Sequence, residues 1–285
     1  MRIWIFLFLM LCAEWSWSQT TLKVDVRMIE VYAAVSDHRG RPMTNLQSED
    51  FHVLEDNRSQ QIRVFEPQSS AMTIALLVDT TGSMTADLPR VKNAIARLLD
   101  AVKPGDSVGL FTFANGLNRL SSFSTDRSPT LKAIFKARAA GPTALFDSLA
   151  QLSRQLSRDA GKKAILLFTD GDDNSSVLTL EASIKSVQRT GVPIYAVLFG
   201  SALKNPDLSK RLERISISTG GIPFKVKDAR QVAEAFARVG QDMQNMYLIG
   251  YQSDSDNQQD DWHRIKVTLP NHPKLKLRAK EGYWR

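Results

Sequence analysis

Cysteine is almost missing from this chain. The single one, Cys12, sits within the first nineteen residues, and none follows it. The rest of the chain therefore has no disulfide, no zinc–thiolate centre and no thiol nucleophile. Long apolar runs are missing too. The unbroken run from Ile3 to Ala13 is too short to cross a bilayer as a stable helix. A mean hydropathy of −0.22 excludes a multi-span membrane protein. Histidine is scarce: His38, His52, His263 and His272 fall in β-patterned stretches or loops, without helical ligand spacing, and read as surface or packing residues. No glycine-rich phosphate loop follows a strand, since "GLNRLSSFS" and "STGGIPF" match neither phosphate-binding fingerprint. No internal repeat or low-complexity segment is present.

The chain is otherwise of ordinary globular composition, with 285 residues, 43% hydrophobic and 24% charged. Net charge is +7, and the basic residues are dispersed, with a denser stretch in "HPKLKLRAKEGYWR". No nucleic-acid motif accompanies them, so the charge reads as a solvated basic surface suited to an acidic partner.

Residues 1–19, "MRIWIFLFLMLCAEWSWSQ", have one basic residue, Arg2, then the apolar run, then Ser16 and Ser18 at the −3 and −1 positions of a cut after Ser18. They read as a cleaved secretory signal peptide, rather than a buried N-terminal helix or a membrane anchor, and are set aside from the fold. The expected location is secreted, periplasmic or cell-surface, with no transmembrane span in the mature chain. Cys12 follows Leu9, Met10 and Leu11 rather than small residues, which speaks against a lipid anchor. An exported chain without disulfides must be held by its core and points to a bacterial source.

Residues 20–67 are β-patterned. "LKVDVRMIEVYAAVSD" alternates, and "EDFHVLEDNRSQQIRVFEP" predicts two short strands around an Asp56-Asn57 turn. Over residues 72–245 the pattern alternates between strand and helix. "MTIALLVD" and "KKAILLFTD" are continuous apolar runs, as in strands buried on both faces. Amphipathic stretches such as "ADLPRVKNAIARLLDAV", "TALFDSLAQLSRQLS" and "TLEASIKSVQRTG", the last stopped by Gly191, separate them. Residues 247–285 return to β, with "YLIGYQS", "HRIKVTLP" and "KLKLRAKEGYW" as strands and "SDSDNQQDD" as an acidic loop. Each flank has too few strands to be stable alone. The expected architecture is an α/β unit with a doubly wound, mostly parallel sheet, inserted in a small antiparallel β-sandwich built from both flanks.

Ligands of open parallel sheets bind beyond the carboxyl ends of the strands, where strand order reverses. Asp79 and Asp170 both end apolar strands there. Thr81 and Ser83 follow Asp79, and "GPTALFD" offers Thr143 at the start of a helix. All these groups are oxygen donors, which suits Mg²⁺, with Ca²⁺ or Mn²⁺ as alternatives. Asp147, one helical turn past Thr143, fits either a supporting role or a helix-face charge. Asp172 and Asp173 fit added acidity, binding of a second ion, or a turn and N-cap before the next helix.

Asp79-x-Thr81-x-Ser83, then Thr143, then Thr169-Asp170-Gly171, resembles the metal-ion-dependent adhesion site of von Willebrand factor type A domains over roughly residues 72–245. Thr81 stands where that pattern usually has serine. The flanking segments resemble bacterial secreted relatives of the same domain. The resemblance implies a Rossmann-like fold and an ion held by Asp79, Thr81, Ser83, Thr143 and Asp170. It also implies a protein partner that completes the coordination with an Asp or Glu. Three rival readings start from the same residues. A phosphoryl-accepting hydrolase of the Asp-x-Asp type conflicts with Thr81. An aspartic protease conflicts with the extra threonine in "DTTGS" and with the fold. A structural envelope module with a purely stabilising ion stays open. The expected class is a binding module rather than an enzyme, and the sequence leaves its partner and oligomeric state open.

Overall fold

The computed structural model describes residues 28–227, 229–253 and 261–285. The expected signal peptide with Cys12, the first part of the expected leading strand and most of the acidic "SDSDNQQDD" segment lie outside them.

Four strands come first: β1 (Met28–Ser36), β2 (His52–Glu55), β3 (Arg58–Gln60) and β4 (Ile62–Glu66). The alternating unit follows. It comprises β5 (Met72–Asp79), α1 (Leu88–Ala101), β6 (Ser107–Phe113), β7 (Leu117–Ser124), α2 (Ser128–Lys136), α3 (Leu145–Leu156) and β8 (Lys162–Thr169). It continues with α4 (Leu180–Thr190), β9 (Ile194–Leu198), α5 (Gly200–Lys204), α6 (Pro206–Ser218), β10 (Pro223–Lys225) and α7 (Ala229–Gln244). Four strands close the chain: β11 (Met246–Gln252), β12 (Trp262–Thr268), β13 (Lys276–Arg278) and β14 (Gly282–Trp284).

The six-stranded central sheet has the order β10-β9-β8-β5-β6-β7, parallel except for the β6–β7 pair. Its apolar strands are buried on both faces because helices cover both. Leu76 and Val78 point into a core with α1 and α7, while Ala75 and Leu77 point into one with α3, α4 and α6. The unit opens with β5, then steps to β6 on one side and later to β8 on the other. The order therefore reverses between β5 and β8.

The flanks form two antiparallel sheets, β13-β1-β11-β4 and β14-β12-β2-β3, which enclose a shared core including Val31, Val53, Tyr247 and Ile265. Two sequence expectations need correcting. "RSQQIRVFEP" is two strands, because the chain breaks at Gln61: β3 stays beside β2, and β4 crosses to the other sheet beside β11. "KLKLRAKEGYW" likewise divides into β13 and β14, one in each sheet. Strands that switch sheets are what close a sandwich at its corners.

Buried lysines bind the two parts together beneath the central sheet. Lys163 Nζ contacts Glu30 of β1 at 3.0 Å and also donates to the Asp159 carbonyl. Lys162 is 1% exposed, and both it and Lys103 donate to the Gln68 carbonyl at 3.2 Å. Burial, with Lys103 beside it, pushes the Lys162 ammonium down to about 8. Its charged form is therefore disfavoured in the native state. That penalty is complete below pH 8 and fades as pH rises toward the unfolded value near 10.5. Lys162→Met keeps Gln68 bonded through Lys103 and should stabilise the protein by about 1–3 kcal/mol at pH 7. Thermal melts of both proteins should show this gain shrinking between pH 8 and 10.5. An unchanged or lower midpoint at pH 7 would contradict the assignment.

Candidate metal centre

The site lies at the carboxyl ends of β5 and β8, where the sheet order reverses. These strands are direct neighbours in parallel register, Val78 opposite Phe168, so Asp79 and Asp170 leave the sheet side by side. Asp79 is fully buried and Asp170 is 2% exposed. Asp79 Oδ1 accepts from the Thr81 amide at 3.0 Å and from Thr81 Oγ1 at 2.7 Å. Thr81 Oγ1 in turn lies 3.1 Å from Ser83 Oγ, and Ser83 is exposed at the rim. Asp79 Oδ2 accepts from Thr169 Oγ1 at 2.7 Å. Asp170 Oδ2 accepts from Ser201 Oγ at 3.2 Å, while Asp170 Oδ1 is buried without any hydrogen-bond partner.

The loop carrying Thr143 is tied to the first loop by its backbone. Gly82 N donates to Gly141 O at 3.1 Å, and Ala140 N to Thr80 O at 2.8 Å. Gly141 holds φ +90°, which favours glycine. Thr143 is gripped from a further loop: its amide donates to Asn174 Oδ1, and its carbonyl accepts from the Asn174 and Ser175 amides. Asp147 braces that loop, accepting from the Val177 and Leu178 amides at 2.8 and 2.9 Å. Its influence on the site thus runs through backbone. Asp173 is a turn residue, accepting from Ser176 and from the Phe146 amide. Asp172 is exposed on the same loop.

Electrostatics mark the centre as a place for a cation. Burial raises the Asp79 carboxyl to about 6, against the lowering effect of its hydroxyl and amide donors, and the neighbouring Asp170 adds to the rise. Among the described residues, no Lys, Arg or His bonds to either carboxylate. Two buried acids with hydroxyl neighbours and one orphaned oxygen fit a hard divalent ion, which would supply a countercharge.

Two groups here have roles that the sequence pattern does not assign. Thr169 holds Asp79 across the strand pair, and its place opposite Asp79 follows only once β5 and β8 are known to be neighbours. Ser201 reaches Asp170 from α5, five residues long and without a sequence signal of its own.

Residues 73–238, more than half of the chain, match the von Willebrand factor type A domain. The chain belongs to the von Willebrand factor type A domain family. Its solved structural relatives include a von Willebrand factor type A protein from Catenulispora acidiphila, 14% identical with a TM-score of 0.55, covering 92% of this chain and 73% of that one. The von Willebrand factor domain of the type V pili tip protein Mfa5 from Porphyromonas gingivalis is 13% identical with a TM-score of 0.51, covering 60% of this chain and 94% of that one. Among curated proteins, the collagen alpha-1(VI) chain of Gallus gallus is 27% identical over 150 residues, 47% of this chain. This chain spans only 15% of that relative's length. At these identities the structures establish the von Willebrand factor A fold, and the C. acidiphila protein extends the likeness over most of the flanking sheets.

Proposed function

We propose that this von Willebrand factor A protein is a metal-dependent protein-binding module acting outside the cytoplasm, in secreted, periplasmic or surface-attached form. A Mg²⁺-type ion, with Ca²⁺ or Mn²⁺ as substitutes, would be held by Asp79, Thr81, Ser83, Thr143 and Asp170. Bound there, it would offer a coordination position to an Asp or Glu of a partner protein. The observation that carries this reading is the pair of adjacent buried carboxylates with no bonded cation among the described residues, one of them with an unpartnered oxygen. Thr169, Ser201 and the Asn174 loop hold the donors in place, which lowers the ordering cost of binding. The hydroxyls of Thr81 and Ser83 bond to an acid and to each other rather than to an imidazole or amine base, which favours binding over nucleophilic catalysis. The pilus-tip relative is consistent with an adhesive role, and the signal-like residues 1–19 with export. No helix among the described residues is long and apolar enough to cross a membrane.

The test is capture of partners from a native envelope extract by the immobilised protein. Binding should require millimolar Mg²⁺, disappear with EDTA, return on adding Mg²⁺, and be lost in Asp170→Ala. Capture that persists in EDTA would refute the reading. An ion that raises the thermal midpoint but leaves capture unchanged would reduce it to a structural brace.

A further inference from the structure

The β-sandwich contains a second group of metal-ligating side chains, unconnected with the centre above. Glu55 ends β2 and Asp56-Asn57 forms the turn into β3, with φ of +48° and +66°. Positive φ at both central residues is the mark of the tight two-residue hairpin turn, a conformation that Asp and Asn tolerate. The turn is clamped to β12, because the Asp56 amide donates to the Arg264 carbonyl and the Arg264 amide to Asp56 Oδ1, both at 2.9 Å. That clamp sets His263 of β12 against the turn.

His263 Nδ1 lies 2.8 Å from Asp56 Oδ2 and 3.9 Å from Glu55 Oε1, and one donor atom from each residue falls within 4.8 Å of the others. Ligands about 2.0–2.2 Å from a common ion stand roughly 3–3.6 Å apart. The two pairs with His263 therefore need adjustments of only tenths of an ångström, and the two carboxylates, within 4.8 Å of each other, need at most about 1 Å. Glu55 is oriented for this. Its Oε2 takes the hydroxyls of Tyr251 and Tyr283 at 2.6 and 3.2 Å. Its Oε1 takes Ser253 at 2.5 Å and faces the imidazole. The His263 ring is stacked on Tyr283, and among the described residues its polar contacts are at Nδ1, with Nε2 buried and without a partner there. Glu55 and His263 are nearly fully buried, while the Asp56 side chain is 47% exposed and leaves a way in from solvent.

We infer that Glu55, Asp56 and His263 form a second metal site, with water completing the coordination, that takes Zn²⁺ or a similar first-row divalent ion. One imidazole with two carboxylates suits these borderline ions, whereas the all-oxygen set at Asp79 suits Mg²⁺. The ion would join two points of the chain 208 and 207 residues apart. One lies before the α/β unit and the other after it. Tying such distant points restricts the unfolded chain as a long-loop disulfide does, and this protein has no cysteine after Cys12 to make one.

Cobalt titration of full-length protein carrying Asp79→Ala separates this site from the other. The visible spectrum should show nitrogen- and oxygen-ligated Co²⁺ at one equivalent, displaced by Zn²⁺ but not by Mg²⁺, and Zn²⁺ should raise the thermal midpoint by several degrees. In the same background, His263→Gln should weaken Co²⁺ and Zn²⁺ binding at least about tenfold. Asp56→Asn, at a half-exposed turn position that tolerates the change, should do the same without loss of fold. Absence of Co²⁺ binding in the Asp79→Ala protein would overturn the inference. So would affinities unchanged by both His263→Gln and Asp56→Asn.

Discussion

Asp79→Ala is expected to weaken Mg²⁺ binding by at least about a hundredfold, roughly 2.7 kcal/mol, and to abolish partner capture with it, while the protein stays folded. Asp79 is the hub of the centre: one oxygen organises Thr81 and through it Ser83, and the other takes Thr169. Removing it would delete a proposed ligand and free the hydroxyls it aligns. The fold survives because β5 is anchored by Leu76, Leu77 and Val78, all fully buried among apolar neighbours and independent of any ion. Thr81→Ser should be nearly silent, since the hydroxyl is kept, whereas Thr81→Val should weaken the site. Calorimetric titration of Mg²⁺ into the four proteins checks all of this. Equal affinity in wild type and Asp79→Ala would mean that these loops do not hold the ion.

The second large effect is expected at Gly221, far from the candidate metal centre. "STGG" ends α6 in a Schellman motif: the Gly220 amide donates to the Ile217 carbonyl and the Gly221 amide to the Ser216 carbonyl, with Gly220 at φ +84°. The chain then passes so close to β9 that a Cβ on Gly221 would sit 2.0 Å from the Ile194 carbonyl oxygen. The obstacle is backbone of a buried central strand, which cannot move aside as a flexible side chain would. Gly221→Ala should therefore cost about 3 kcal/mol or more, read as a large fall in the denaturant midpoint. By comparison Gly116→Ala, with nothing within 4 Å and no left-handed φ, should change little. A Gly221→Ala midpoint close to wild type would show that the two segments are not packed this tightly.

What could be read from the sequence was whatever repeats along it. The apolar runs before Asp79 and Asp170, the helical stripes between them and the spacing of Thr81, Ser83 and Thr143 are local patterns, and the central unit follows from them. Helix α2 was missed because its apolar pattern is weak: only Thr130 and Ile134 are buried, while Leu131 and Phe135 face solvent. The breaks that divide β3 from β4 and β13 from β14 were hidden because both halves are β-patterned, and only sheet membership tells them apart. "STGG" matches no phosphate-binding fingerprint, and nothing in its letters announces Ile194. His263 looked like packing because its partners, Glu55 and Asp56, are more than two hundred residues away in sequence. Pairings of that range are set by the sandwich, and the sandwich is set by both flanks together.

The place of β4 beside β11 also governs the order in which this protein can be built. Leu248 pairs with Glu66, yet about 180 residues of α/β unit separate the two strands along the chain. At about 5–20 residues per second, synthesis needs roughly 10–35 s to deliver β11 after β4 has emerged. Through that interval β1 to β4 exist without the strands that complete both of their sheets. The α/β unit, whose strands all lie between them, meets no such wait. Directional emergence therefore favours a central unit that is finished first and then acts as a clasp, bringing its own two ends within one strand spacing so that the last forty residues close the sandwich. The hazardous period for misassembly belongs to the N-terminal strands, whose open edges are the surfaces most prone to pair with another copy.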